Sequence, residues 1–166
     1  TFMDPGSTKY LDRCLDAYKQ TGCRIITGTH VTDKPNPLGL PTYSTAEAIE
    51  IVETTIKHFD GQADGRISAW AMPFAPSMCS DELLLECKRL ADHYGTGMTL
   101  HYNNGENYIE ASVKETGLRP TQHLEKLGVL GNNVTLAHML GQDESEVETL
   151  ARTETRAVVV PTAAVK

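Results

Sequence analysis

No apolar stretch in the sequence approaches the roughly twenty residues of a membrane-spanning helix, so no membrane contact is expected. The chain does not open on basic residues followed by an apolar core, so no secretion signal is expected either. Cysteine is scarce. Cys14, Cys23, Cys79 and Cys87 include no CxxC pair, which excludes a zinc knuckle and a thioredoxin-type motif. They are expected to be reduced, buried or half-buried thiols of a cytoplasmic protein. Positive charge is in the minority: 15 Lys and Arg against 22 Asp and Glu leave −7, the wrong sign for a general phosphate-backbone binder, so no nucleic acid is expected. Neither GxGxxG nor GxxxxGK[ST] is present, which argues against a doubly wound nucleotide-binding sheet. HxH and HExxH are missing too, so no compact metal site is written locally.

What is there is globular. The 166 residues are 40% hydrophobic and 22% charged, enough for one domain (1–166) with a real core and too few for two. Periodicity gives alternating elements. Ser7 can cap a helix over about 8–20, with Tyr10, Leu11, Cys14, Leu15 and Tyr18 on one face and Gly22 as its stop. Ser44-Thr-Ala-Glu47 is a capping box opening a helix to about Phe59. Ser80 caps another helix, which Gly95 ends, and Pro120 suits the first turn of the second of two helices split at Gly117. Asp143 or Ser145 starts the last helix, reaching about Thr153. Between them lie five β-type runs: 23–27, 66–72, 98–101, 133–138 and 156–160.

Strand starts 23 to 43 residues apart with helices between are the spacing of parallel βα crossovers. Several runs are continuously apolar, which predicts a sheet buried on both faces. A complete (β/α)₈ barrel takes about 250 residues and eight strands. The fold class expected is therefore α/β, a partial (β/α)₈ TIM-type barrel with about five parallel strands.

In such folds reactive groups gather at the carboxyl ends of strands. Met-Thr-Leu-His101 and Val-Thr-Leu-Ala-His138 each end a strand in the same way, and imidazole serves there as metal ligand or proton shuttle. A structural role for either is the competing reading. His30, just past the first strand, is expected to be structural, as are His58, His93 and His123. Glu47, Glu50 and Glu53 on one helix, and Glu144, Glu146 and Glu148 on another, are expected to be solvated faces. Cys79 follows a strand but has no evident base to make it a nucleophile. Trp70 and Phe74 line a pocket or pack the core, and Phe74 is the candidate substrate-binding residue.

Gly65-Arg-Ile-Ser-Ala-Trp-Ala-Met-Pro-Phe-Ala-Pro76, Cys79-Ser-Asp-Glu-Leu-Leu84 and Met98-Thr-Leu-His101 resemble the middle of an amidohydrolase-superfamily barrel. Gly117-Leu-Arg-Pro120, His123-Leu-Glu-Lys-Leu-Gly-Val-Leu130, Leu136-Ala-His138 and Val160-Pro161 continue the resemblance, which runs from family strand three to strand seven. The nearest group is that of chlorohydrolases and aminohydrolases acting on triazines, purines and related heterocycles. The resemblance implies one divalent metal, zinc or iron, with His101 as a ligand and His138 orienting or polarising substrate and water. It implies hydrolysis of C–N or C–halogen bonds of a small cyclic substrate by a metal-activated water. Asn104, in His101-Tyr-Asn-Asn104, stands where the family has a glutamate proton shuttle and is, with His138, a candidate catalytic residue. An amide cannot carry the proton, a role left to Glu106 only if the loop bends to bring it in. The family's strand-one HxH and strand-eight aspartate have no counterpart in the chain. The expectation is thus a hydrolase fragment, inactive alone, that joins the remainder of its barrel or forms a homo-oligomer. The alternative is a non-catalytic, degenerate barrel relative that binds a small molecule or self-associates.

Overall fold

The computed structural model describes residues 9–161. The expected cap at Ser7, and the chain beyond Pro161, lie outside the described residues. The elements are α1 (Lys9–Thr21), β1 (Ile25–Thr27), β2 (His30–Val31), α2 (Thr45–Phe59), a single turn α3 (Gln62–Gly65), β3 (Ile67–Ala69) and β4 (Met72–Pro73). They continue with a 3-10 turn at Pro76–Met78, α4 (Asp81–Tyr94), β5 (Met98–His101), α5 (Glu106–Thr116), α6 (Pro120–Leu127), β6 (Val134–Ala137), α7 (Glu144–Arg152) and β7 (Arg156–Val158).

The first two expected strands are each split. Parallel β1–β3 pairing runs Ile25 to Ile67 through Thr27 to Ala69, and β2–β4 resumes it at His30 opposite Met72. Gly28 lies at the break because a Cβ there would sit 2.4 Å from the Trp70 carbonyl oxygen. The sheet continues through Ala71, whose amide donates to Gly97 O at 2.9 Å and whose carbonyl accepts from Thr99 N at 3.0 Å. The strands β5, β6 and β7 then pair in parallel, in that order. The result is five parallel strands laid down in chain order, counting each split pair once.

Helices cover one face. Val52 and Ile56 of α2 meet Leu83, Leu84, Cys87 and Leu90 of α4, over Met98 and Leu100 of β5 and Val134 and Leu136 of β6. Each such aliphatic side chain contributes about 1.5–3 kcal/mol by leaving water. A second cluster joins Leu11 and Leu15 of α1 to Phe59, Ile67 and Ala69. The capping box at Ser44 forms as expected, the Glu47 carboxylate accepting from Ser44 N at 2.9 Å. Ser80 caps α4, Gly95 ends it in a left-handed conformation, Pro120 opens α6, and Asp143 caps α7.

Three expectations are corrected. Strands β5 and β6 alternate buried and half-buried residues, and β7 is exposed along its length, so the strands are not covered on both faces. The expected face of α1 narrows to Leu11 and Leu15, since Tyr10 and Tyr18 are exposed and their phenols prefer water. Cys23 is exposed and precedes β1 rather than opening it.

Candidate active site

The sheet sets its reactive residues at one end. His101 is the last residue of β5, and its amide donates to the Phe74 carbonyl at 2.9 Å. His138 follows β6 directly, and its amide donates to Val158 O at 2.8 Å. The two rings face each other, with centroids 5.2 Å apart and planes 19° from parallel. Their nitrogens meet: His101 Nδ1 lies 3.0 Å from His138 Nε2. Phe74 packs against His101 at 4.8 Å between centroids and is itself buried. The structure therefore brings three of the expected site residues together.

His30 joins them. Its ring stacks on His101 at 5.5 Å and meets Phe74 edge-on at the same centroid separation. It is buried, and neither ring nitrogen has a hydrogen-bond partner; His101 Nε2 is likewise buried and unpartnered. A buried polar group without a partner costs about 1–3 kcal/mol. Burial first, and the neighbouring His101 next, hold the His30 pKa down at about 4, so the ring is neutral at pH 7. Burial and the adjacent His138 lower that of His101 in the same way. His30 was expected to be structural; its signal was topological, since it opens the short β2 just past β1, at the end of the sheet where His101 lies.

A shared hydrogen bond between two neutral imidazoles fixes their tautomers relative to each other. If His101 keeps a lone pair on its orphaned Nε2, its Nδ1 carries the proton and donates to His138 Nε2. His138 then carries its own proton on Nδ1.

Asn104 is not in this cluster. It is exposed in the loop after β5, whereas its neighbour Asn103 is fully buried. Glu146, expected on a solvated face, is buried as well, because Arg119 crosses to it: Nε donates to Oε2 at 2.8 Å while Nη2 donates to Gly141 O at 2.7 Å. Its neighbours Glu144 and Glu148 are exposed as expected. Cys79 is fully buried and its thiol is pushed up to about 12 by that burial, which removes it as a nucleophile. His123 lies 3.1 Å from the Asp81 carboxylate, beside a cleft of about 600 Å³ between α4, α5 and α6 that does not reach His101 or His138.

Among the described residues no group of three or more His, Cys, Asp or Glu side chains is arranged to hold a metal. The donor chemistry nevertheless suits zinc, which takes neutral imidazole nitrogen, and the orphaned Nε2 of His101 is such a donor.

A profile of the amidohydrolase family matches residues 1–164. The chain belongs to the amidohydrolase family. It is 30% identical over 151 residues to a 5'-deoxyadenosine deaminase of Methanopyrus kandleri, covering 91% of this chain and 33% of that one. It is 33% identical over 143 residues to a 5-methylthioadenosine/S-adenosylhomocysteine deaminase of Desulfitobacterium hafniense, with 86% and 31% covered. An adenosine deaminase of Xanthomonas campestris solved with bound zinc superposes with a TM-score of 0.79 at 25% identity, covering 92% of this chain and 34% of that chain. The chain thus spans about a third of the length of the relatives it matches. Its five-strand arc corresponds to a segment of an amidohydrolase TIM barrel. No helix among the described residues is long and apolar enough to cross a membrane.

Proposed function

We propose that this chain forms the central, site-bearing segment of a metal-dependent hydrolase that releases ammonia from a purine nucleoside or a related heterocycle. The observation that carries the reading is the pairing of His101 and His138 at adjacent strand ends, with His101 Nε2 left free and buried. The relatives' names, deaminases of adenosine derivatives, supply the substrate class.

His101 would hold a divalent metal through Nε2, together with ligands from outside the described residues. Such an ion supplies Lewis acidity that makes water nucleophilic near neutral pH. His101 Nδ1–H would anchor His138, whose ring then faces the substrate as a hydrogen-bond donor through Nδ1. Phe74 and His30 would form the dry wall behind His101. In the overall reaction one water adds at the ring carbon, the C–N bond breaks and ammonia leaves. His101 and His138 do not by themselves complete a metal site among the described residues, so the isolated chain is expected to be inactive, and Asn104 cannot carry a proton between these steps.

The test combines zinc titration of the purified chain with an assay for ammonia release from 5'-deoxyadenosine and adenosine. The reading expects weak zinc binding by the incomplete site that His101→Ala abolishes, and no turnover by the chain alone. Zinc affinity unchanged in His101→Ala would overturn the ligand role, and turnover by the 166-residue chain would overturn the incomplete site. The amide at position 104 favours a second reading, a non-catalytic relative that keeps the binding site. Asn104→Glu in a complete barrel separates them, since only an enzyme lineage gains turnover.

A further inference from the structure

We propose that Asn103 is a positioning residue for His138: its buried carboxamide and its own backbone fix the turn that carries the imidazole to His101. The inference rests on the site proposed above.

The turn after β6 needs holding. His138 and Met139 both adopt left-handed backbone, with φ of 81° and 54°, and neither is glycine. Such conformations cost about 1–3 kcal/mol each and persist only where their surroundings determine them. His138 is tied at its amide to Val158 O. Beyond Met139 the fastening passes to Asn103. Its backbone carbonyl accepts from Leu140 N at 3.0 Å, and its side-chain Nδ2 donates to Leu140 O at 2.5 Å. Its Oδ1 accepts from Gly105 N at 3.3 Å. A carbonyl on one side and an N–H on the other allow only one orientation of the carboxamide.

Asn103 is completely buried and lies two residues after His101. It therefore links the loop after β5 to the loop after β6 by two hydrogen bonds, both to Leu140, the residue directly after the strained pair. Leu140 O has a second donor, Gln142 Nε2 at 3.0 Å, but that contact stays within the same turn and cannot set its distance from β5. Removing the Asn103 carboxamide leaves His138 free to relax toward ordinary backbone, which swings its ring away from His101 Nδ1.

The experiment is nitrogen-15 NMR of the imidazoles of the metal-free full chain at about pH 8, where imidazole is neutral. In the parent chain His101 and His138 are expected to show the same tautomer, each protonated at Nδ1, and one slowly exchanging shared N–H on His101. Asn103→Ala, and Asn103→Asp, which keeps the acceptor and loses the donor, are expected to lose that shared proton while backbone amide signals of α2 and α4 stay in place. Gln142→Ala is expected to keep it. A retained imidazole pair in the Asn103 variants overturns the proposal. If those variants fail to fold, the parent decides. Slow exchange of the Asn103 carboxamide protons together with the shared N–H supports the proposal, and free-amide exchange overturns it. The signals are read without metal, so a chain that binds no zinc overturns the proposed function and leaves this test intact.

Discussion

The guanidinium of Arg119 and the carboxylate of Glu146 form an ion pair in which the acid is wholly buried and the base only a quarter exposed. Glu146 Oε1 also accepts from Thr121 N, and Oε2 from Asp143 N, so one carboxylate joins the first turns of α6 and α7. Replacing Arg119 by Met strands that charge. Breaking a buried pair in this way costs about 3 kcal/mol or more. Arg119→Met is therefore expected to lower the urea midpoint with an unchanged slope, and Arg119→Met/Glu146→Leu to recover part of the loss. Equal midpoints for the parent and the single variant would refute the buried pair.

Thiol reactivity offers a second check. Cys23 is exposed and Cys14 partly so, while Cys79 and Cys87 are fully buried. Burial raises both buried thiols, Cys79 to about 12, so neither forms a thiolate at pH 8 in the folded state. A thiol reagent is expected to label Cys23 quickly, Cys14 more slowly, and the other pair only after urea. Rapid labelling of Cys79 in the native chain would contradict its burial.

Trp70 reports on the junction between β4 and β5. A Cβ at Gly97 would lie 2.5 Å from the Trp70 ring, and Gly97 has ordinary backbone, so the obstacle is space alone. Overpacking of this kind costs about 1–3 kcal/mol. Gly97→Ala is expected to destabilise the chain by that amount and to shift the emission of its single tryptophan. Unaltered fluorescence and stability would show that the ring has room to move.

The elements legible in the sequence were those specified by neighbours in the chain. β5 at Met98–His101 and the Ser44 box lie where expected because a strand run and a cap are local signals. His101 and His138 were visible as matched strand ends. His30 was not, since its unpartnered nitrogens become informative only once β2 lies beside β4. Glu146 reads as one acid among three on an exposed helix until Arg119 arrives from 27 residues earlier. Asn103 and Asn104 are chemically identical in the sequence, and only the path of the loop buries the first and exposes the second.

The order of the strands bears on how the chain acquires its shape. Among the described residues each strand pairs with the one synthesised just before it, across one or two helices, and none of these pairings waits for a more distant strand. A segment emerging from the ribosome therefore meets an edge that already exists. The crossovers differ in length, but closure entropy grows only slowly with loop length, so the entropic cost of assembly is spread over repeated, comparable steps. Growth by addition, one βα unit at a time, is the folding route this topology permits.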